Sequence, residues 1–413
     1  MKMNFKVIAL IVMGIVFLFD TFIEYLEMKS SEREIPANVA DVYDKEEYTK
    51  WLSYDKECNR FSLIRHLVSF AIAFALIALD AYAGIVHMVG AEGLYGAAIA
   101  IVIADTVISL IWSTPFSYVR NFGIEEKYGF NRMTKKTFVI DLVKNLIINI
   151  GLMCGLICLL TAIHQALGHW MLIIFTIIIM AILLLVVFLQ PVFTRVFNKL
   201  TPLEDGELKT RLTELLEKNG CTVRQISVSD GSKRSTKANA YFGGFGKMKT
   251  IVLYDTLLEQ MTEDEIVAVF AHEMGHNKHK DTLKMFGMNV VNVSMIVISL
   301  WALVSVPEIY LDFGFEGVNY GFAMILASAV CLSFISPFLG LFISLFSRKF
   351  EYAADKFAAD NGYGEALISG LKKLAKNSFS NLSPHPVVVA LTYSHPTISQ
   401  RVEYIEKCMK ENK

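Results

Sequence analysis

The sequence predicts an all-α membrane protein with seven transmembrane helices and a polar part that includes a small β-sheet, and three observations lead there. First, of 413 residues 54% are hydrophobic and only 19% charged, whereas soluble globular chains are about 25% charged; the mean hydropathy is +0.45. Second, predominantly apolar stretches of about 20 residues, the length that crosses a hydrocarbon core, recur at 6–26, 67–89, 94–116, 142–163, 170–189, 287–306 and 321–346. Third, the segment 190–286 interrupts them with turn signals and β-branched runs. The charge balance, 39 Lys+Arg against 40 Asp+Glu, lacks the basic excess that neutralises phosphates, which excludes nucleic acid as a partner. Cys58, Cys154, Cys158, Cys221, Cys331 and Cys408 are scattered, some of them inside apolar runs, and read as free thiols.

Taken in order, the first apolar stretch follows Met1-Lys2-Met3-Asn4-Phe5-Lys6, lacks a small-residue cleavage site and runs into Asp20, Glu24 and Glu27, so it reads as a retained helix rather than a signal peptide. Residues 1–189 then form one unit of five spans and their loops. The unit 190–286 reads as a helix at Asp205 to Lys218, a strand at Ile226-Ser227-Val228-Ser229, a turn at Asp230-Gly231, a Gly-rich stretch from Asn239 to Gly246 and a strand at Thr250 to Tyr254. Two more spans occupy 287–346. The last unit, 347–413, reads as helical to Asn361-Gly362, irregular through Pro384, Pro386 and Pro396, and helical again beyond.

Numbering the loops alternately places 27–66, 117–141, 190–286 and 347–413 on one side, and these carry nearly all the Lys and Arg, including Arg120, Lys127, Arg132, Lys135 and Lys136. The opposite loops, His87 to Glu92, His164 to His169 and Pro307 to Tyr320, hold none. By the positive-inside bias the basic side is cytosolic. Asp20, Glu24, Asp80, Asp105, Lys144, Asn145, Asn149, Asn289 and Asn292 fall inside spans, where each needs either a partner on a neighbouring helix or a wet chamber.

The chemistry centres on His272-Glu273-Met274-Gly275-His276, an HExxH string in a helix that Thr262-Glu263-Asp264-Glu265 opens as a capping box. Side chains at i and i+4 share one helical face, so both imidazoles can converge on one Zn²⁺ while Glu273 can take a proton from a water molecule activated there. After the last span comes Arg348-Lys349-Phe350-Glu351-Tyr352-Ala353-Ala354-Asp355. Glu351 and Asp355 are again four apart, so one carboxylate can bind the metal while the other accepts an imidazole N–H. A charged turn at the membrane edge gives the same spacing without any metal.

These residues, in this order, resemble the multi-pass zinc CAAX prenyl proteases. Also similar to that family are Phe19-Asp20-Thr21, the run Ile124-Glu125-Glu126-Lys127-Tyr128-Gly129-Phe130-Asn131-Arg132, Ser232-Lys233-Arg234-Ser235 with Asn239-Ala240-Tyr241-Phe242, Ile251 to Leu258, and Tyr393-Ser394-His395-Pro396. The resemblance implies a seven-helix barrel around a wet chamber, with a gluzincin-like protease part on its cytosolic side. It implies one Zn²⁺ per chain on His272, His276 and Glu351, with Glu273 as general base. It further implies that Asp355 holds a ligand histidine, that His395 holds the oxyanion or substrate carbonyl, and that Arg401 orders the cluster. Asn239, Ala240, Tyr241 and Phe242 would form an edge strand that pairs with an extended peptide.

The implied partners are a peptide or protein substrate, prenylated or not, and the lipid bilayer of a bacterial inner membrane or an endoplasmic reticulum. Within the protease class, the activity is removal of C-terminal tripeptides from prenylated proteins, or cleavage of other membrane-associated peptides; the alternative is quality-control degradation of misfolded or translocon-clogging proteins. Readings from other classes are a seven-span transporter, in which Glu273 has no task, and a scaffold that is indifferent to zinc.

Overall fold

The computed structural model describes residues 4–31, 33–221, 223, 225–243 and 250–412; Met1-Lys2-Met3 and Gly244, Phe245 and Gly246 of the Gly-rich stretch lie outside the described residues. The N-terminal half is helical: α1 (Phe5–Ser30), α2 (Lys45–Ala78), α3 (Ala81–Met88), α4 (Gly93–Val119), α5 (Lys135–Leu167) and α6 (Met171–Phe197). A mixed part follows, with β1 (Leu200–Pro202), α7 (Glu207–Lys218), β2 (Gln225–Ser229), β3 (Ala240–Gly243), β4 (Thr250–Tyr254), α8 (Asp255–Gln260) and α9 (Glu263–Lys278). Then come α10 (Asp281–Val304), α11 (Glu308–Leu311), α12 (Tyr320–Leu326), α13 (Ser333–Asp360), α14 (Gly364–Ser378), α15 (Pro386–Thr392) and α16 (Ile398–Glu411).

Among the described residues, six stretches are long and apolar enough to cross a membrane: Phe5–Ser30, Lys45–Ala78, Gly93–Glu125, Lys135–Val186, Asp281–Val304 and Tyr320–Asp360. The fourth has 52 residues, which as one straight helix would reach about 78 Å, far beyond a core of about 30 Å. It is instead broken at Gly168, whose φ of 52° a side chain would oppose, and α6 turns back to pack on α5. Each of the seven apolar stretches therefore falls on helix.

Two expectations are corrected. The stretch 67–89 is not one helix: α2 begins far earlier, at a capping box of Asp44 with Glu47, and ends at Ala78, and Asp80 at φ 55° separates it from α3. Its polar first turns hid it, although they bury Trp51, Tyr54 and Cys58. The region after Gly362 is likewise not irregular. It holds the amphipathic α14 and the short α15, which Pro386 starts rather than breaks, because proline fits the first helical turn.

The sheet order is β1-β2-β4-β3, with β2 and β4 parallel and both outer pairs antiparallel. β1, absent from the sequence reading, carries Pro202 on an edge, where a missing N–H costs no ladder bond. β3 is the other edge, bonded on one side to β4 with Ala240 opposite Leu253. One apolar core fills the space between the membrane helices, and a second joins α7, β2, β4, α9, α13, α14 and α16. Arg234 ties the two parts together: its Nε and Nη2 donate to Asp141 of α5 at 2.8 and 3.1 Å, and Nη2 also donates to the Phe197 carbonyl at the end of α6 at 2.7 Å.

The polar residues inside the spans divide between the two expected fates. Asp80 pairs with Lys6 at 2.7 Å, Lys144 donates to the Val196 carbonyl at 2.7 Å, and Glu24 meets His66 at 3.5 Å. Asn145 and Asn149, with Ser109 and Ser113, instead line a cavity of about 770 Å³ between α4, α5 and α12, and Asp105 does both, lining it while accepting from the Tyr82 hydroxyl of α3 at 2.7 Å. All six cysteines are unpaired.

Candidate metal centre

The site is built on two crossing helices. α9 starts where Thr262 and Glu265 cap each other's backbone N–H groups, and it buries Ile266, Val267, Ala268, Phe270, Ala271 and Met274. That fixes the face on which His272 and His276 project. α13 crosses α9 at Gly275: a Cβ there would lie 2.8 Å from the Ala354 Cα, so only glycine lets the two backbones approach this closely. The approach brings Glu351 of α13 to the histidines of α9.

His272 Nε2 and His276 Nε2 face each other at 3.2 Å, and the Glu351 carboxylate lies 3.5 Å from the first and 3.3 Å from the second. The opposite ring nitrogens are held by other carboxylates: His272 Nδ1 lies 2.9 Å from Asp355, and His276 Nδ1 lies 3.1 Å from Asp281 at the start of α10. With Nδ1–H donated to a carboxylate, each imidazole presents its Nε2 lone pair inward. Arg401 of α16, buried like Asp355, donates from Nε and Nη2 to Asp355 at 2.9 and 2.6 Å and brings Nη1 within 3.5 Å of Glu351.

The electrostatics favour a cation. Burial, the largest single effect, lowers the pKa of His276, yet the hydrogen bonds to Asp281 and Glu351 outweigh it and the value is raised to about 10. For His272, burial and Arg401 act downward, Asp355 and Glu351 act upward, and the net shift is again up. Within this concentration of charge, Glu351 Oε2 is buried and accepts no hydrogen bond, with His272 Nε2 and Arg401 Nη1 each 3.5 Å away. Two inward-facing imidazoles and one carboxylate oxygen that accepts no hydrogen bond are the donor set of a catalytic zinc site with an open fourth position, so the residues present fit that ion.

Among the described residues, His272, His276 and Glu351 are the group able to hold a metal ion. They line a cavity of about 340 Å³ together with Glu273, His395, Arg401 and the segment Ala238 to Tyr241. His395 Nε2 lies 3.3 Å from Glu351 Oε1. Asn239 precedes β3, its carbonyl accepts from Tyr254 N at 3.0 Å, and the Tyr241 hydroxyl meets that of Thr194 at 2.8 Å. Phe242 lies within β3.

Sequence reasoning missed Asp281 as a histidine partner and Gly275 as the crossing point. Asp281 is five residues beyond His276 and past a turn at Lys280 with φ 56°, so helical spacing does not reveal it; Gly275 occupies a free position of the motif, where any residue satisfies the string.

Residues 202–409 match peptidase family M48, and residues 24–199 match the CAAX prenyl protease N-terminal family, described as five membrane helices. CAAX prenyl protease 1 of Saccharomyces cerevisiae is 29% identical, over 96% of this chain and 94% of its own length. The CAAX prenyl protease 1 homolog of Dictyostelium discoideum is 34% identical, over 73% of this chain and 71% of its own. Among solved structures, that of S. mikatae Ste24p superposes with a TM-score of 0.92 at 27% identity, covering 98% of this chain and 100% of that one.

Proposed function

This chain belongs to peptidase family M48, and on that premise we propose that His272, His276 and Glu351 hold one zinc ion and that Glu273 is the general base of peptide hydrolysis. The protein is a multi-pass membrane metalloprotease. The observation that carries the proposal is the convergence of the two Nε2 atoms and Glu351, with Asp355 and Asp281 behind the rings. Bound there, zinc supplies Lewis acidity that polarises a peptide carbonyl and acidifies a water molecule.

The chain's own residues do the rest. The substrate lies extended and pairs with β3 at Asn239 to Phe242, which presents its carbonyl to the site. Glu273 takes the proton of the attacking water and delivers it to the departing amine. His395, at the cavity wall, donates a hydrogen bond to the oxyanion. Asp355 and Asp281 fix the ring orientations, and Arg401 keeps Asp355 in place. The seven helices form a barrel, the cavity lined by Asp105 and Asn145 is part of its wet chamber, and the site opens on the cytosolic side. The substrate is a prenylated CAAX protein, as the names of the relatives suggest. The test is hydrolysis by the purified protein, with and without chelator, of a farnesylated CAAX peptide and of an unfolded membrane protein. Zinc-dependent release of the C-terminal tripeptide is the expected result; cleavage of the unfolded protein alone would shift the activity to quality control, and turnover unaffected by chelation would overturn the zinc site.

A further inference from the structure

His395 sits in the loop between α15 and α16, and its side chain is 61% exposed. Its ring has one hydrogen-bonding contact given by the structure, to the hydroxyl of the neighbouring Ser394 at 2.9 Å, besides its approach to Glu351. A ring so held goes where its loop goes. The loop is pinned by α13: Arg348 Nη1 donates to the carbonyls of Val389, Ala390 and Tyr393 at 3.0, 3.4 and 2.9 Å. Val389 and Ala390 lie in the last turn of α15, where the carbonyls carry the negative end of its dipole, and the Val389 carbonyl also accepts from Tyr393 N at 3.3 Å. From the other side, the Tyr393 hydroxyl donates to Glu27 of α1 at 3.1 Å.

Arg348 is three residues before Glu351, on the same face of α13. We propose that Arg348 is a positioning residue that sets His395 at its working distance from the metal-binding cluster. α13 then carries three functions on successive turns: Arg348 clamps the oxyanion loop, Glu351 joins the histidines, and Asp355 orients His272 and Arg401. The clamp makes the His395 loop part of the α13 frame, so the distance from His395 Nε2 to Glu351 Oε1 is fixed within one helix. All three carbonyls share the two N–H groups of one nitrogen, so the clamp works as a point donor and not as a guanidinium fork. A lysine ammonium, with three donors on one atom, should replace it in large part.

The inference rests on the oxyanion role given to His395, and the experiment separates the two. Full-length Arg348→Met, Arg348→Lys, His395→Ala and the double variant Arg348→Met/His395→Ala are compared on a farnesylated CAAX peptide, with zinc content and hydrogen exchange of segment 386–397 measured on each. Arg348→Met should lower kcat about 10- to 100-fold, the scale of a misplaced catalytic group, with KM and zinc content unchanged and amide exchange faster in 393–397 only. Arg348→Lys should restore most of kcat, and Arg348→Met should cost nothing further in the His395→Ala background. Unchanged exchange in Arg348→Met, or an equal loss on top of His395→Ala, would overturn the clamp. Wild-type kcat in His395→Ala would overturn the role of His395 itself, and exchange would still decide whether Arg348 holds the loop.

Discussion

Glu273 lies between two histidines whose Nε2 atoms are 3.2 Å apart, and it lines the same cavity as Glu351 and His395. A glutamine there has nearly the same shape but cannot accept a proton, so Glu273→Gln should keep its zinc and its fold while peptide hydrolysis falls to background, read by metal analysis beside turnover. Normal turnover in that variant would end the general-base assignment. The carboxylates behind the rings act differently. Asp281→Asn and Asp355→Asn each leave a ring nitrogen a weaker partner, and each should weaken zinc affinity or activity about 10- to 100-fold, measured by chelator competition. At this scale the sequence was legible where the chemistry repeats along one helix: His272, Glu273 and His276 follow from a spacing of four, and so does the pairing of Glu351 with Asp355. Asp281 was not legible, because the left-handed turn at Lys280 takes it off the α9 spacing and only the folded path brings it back to His276.

The elements matter through how closely they approach. α9 and α13 can cross at Gly275 only without a side chain, so Gly275→Ala should push them apart at a cost of about 1–3 kcal/mol, and zinc affinity should fall roughly 10-fold or more; unaltered affinity by the same competition would show that the crossing has slack. The start of α9 is set by Glu265, which bonds Thr262 N at 2.8 Å, Ser369 at 2.6 Å and Lys373 at 2.7 Å. Burial raises the pKa of Glu265, but these bonds outweigh it and the net shift is down. Its contribution is therefore present above the unfolded carboxylate value of about 4.3 and is lost as pH falls through the lower folded value. Glu265→Gln should cost about 1 kcal/mol at neutral pH, and the difference in Tm from wild type should shrink below about pH 4; a constant difference from pH 7 to 3 would contradict this. At the sheet edge, Ala240→Pro removes a strand N–H and should raise KM while leaving zinc content alone; an unchanged KM would argue against pairing of substrate with β3. Strands β2 and β4 were legible from their β-branched runs, whereas α14 and α15 were obscured by the prolines and glycines around them, and the polar, amphipathic first turns of α2 hid its true start.

In the whole molecule, residues that are distant in sequence assemble into one centre: α10, α13 and α16 each bring a side chain to His272 or His276 of α9. No local pattern encodes that α13 crosses α9, or that Arg234 joins the loop before β3 to the membrane helices through Asp141, whereas the apolar stretches were legible because their length and composition alone mark them as helices that can cross a membrane. If the chain crosses seven times, the loops holding almost all the lysines and arginines share one side with the metal centre, and the loop of Glu308, Asp312 and Glu316 faces the other. Reversing the protein would require moving the basic segments across the bilayer, which the positive-inside bias opposes. Exposed positions on each side make this measurable: Glu217 on α7 and Glu316 in the loop between α11 and α12 are both open to solvent. Single cysteines placed there, in a chain with all six native cysteines replaced, should be labelled by a membrane-impermeant maleimide from opposite faces of sealed vesicles. Labelling of both from one face would mean an even number of crossings between them, and the barrel with its site at the cytosolic edge would then have to be abandoned.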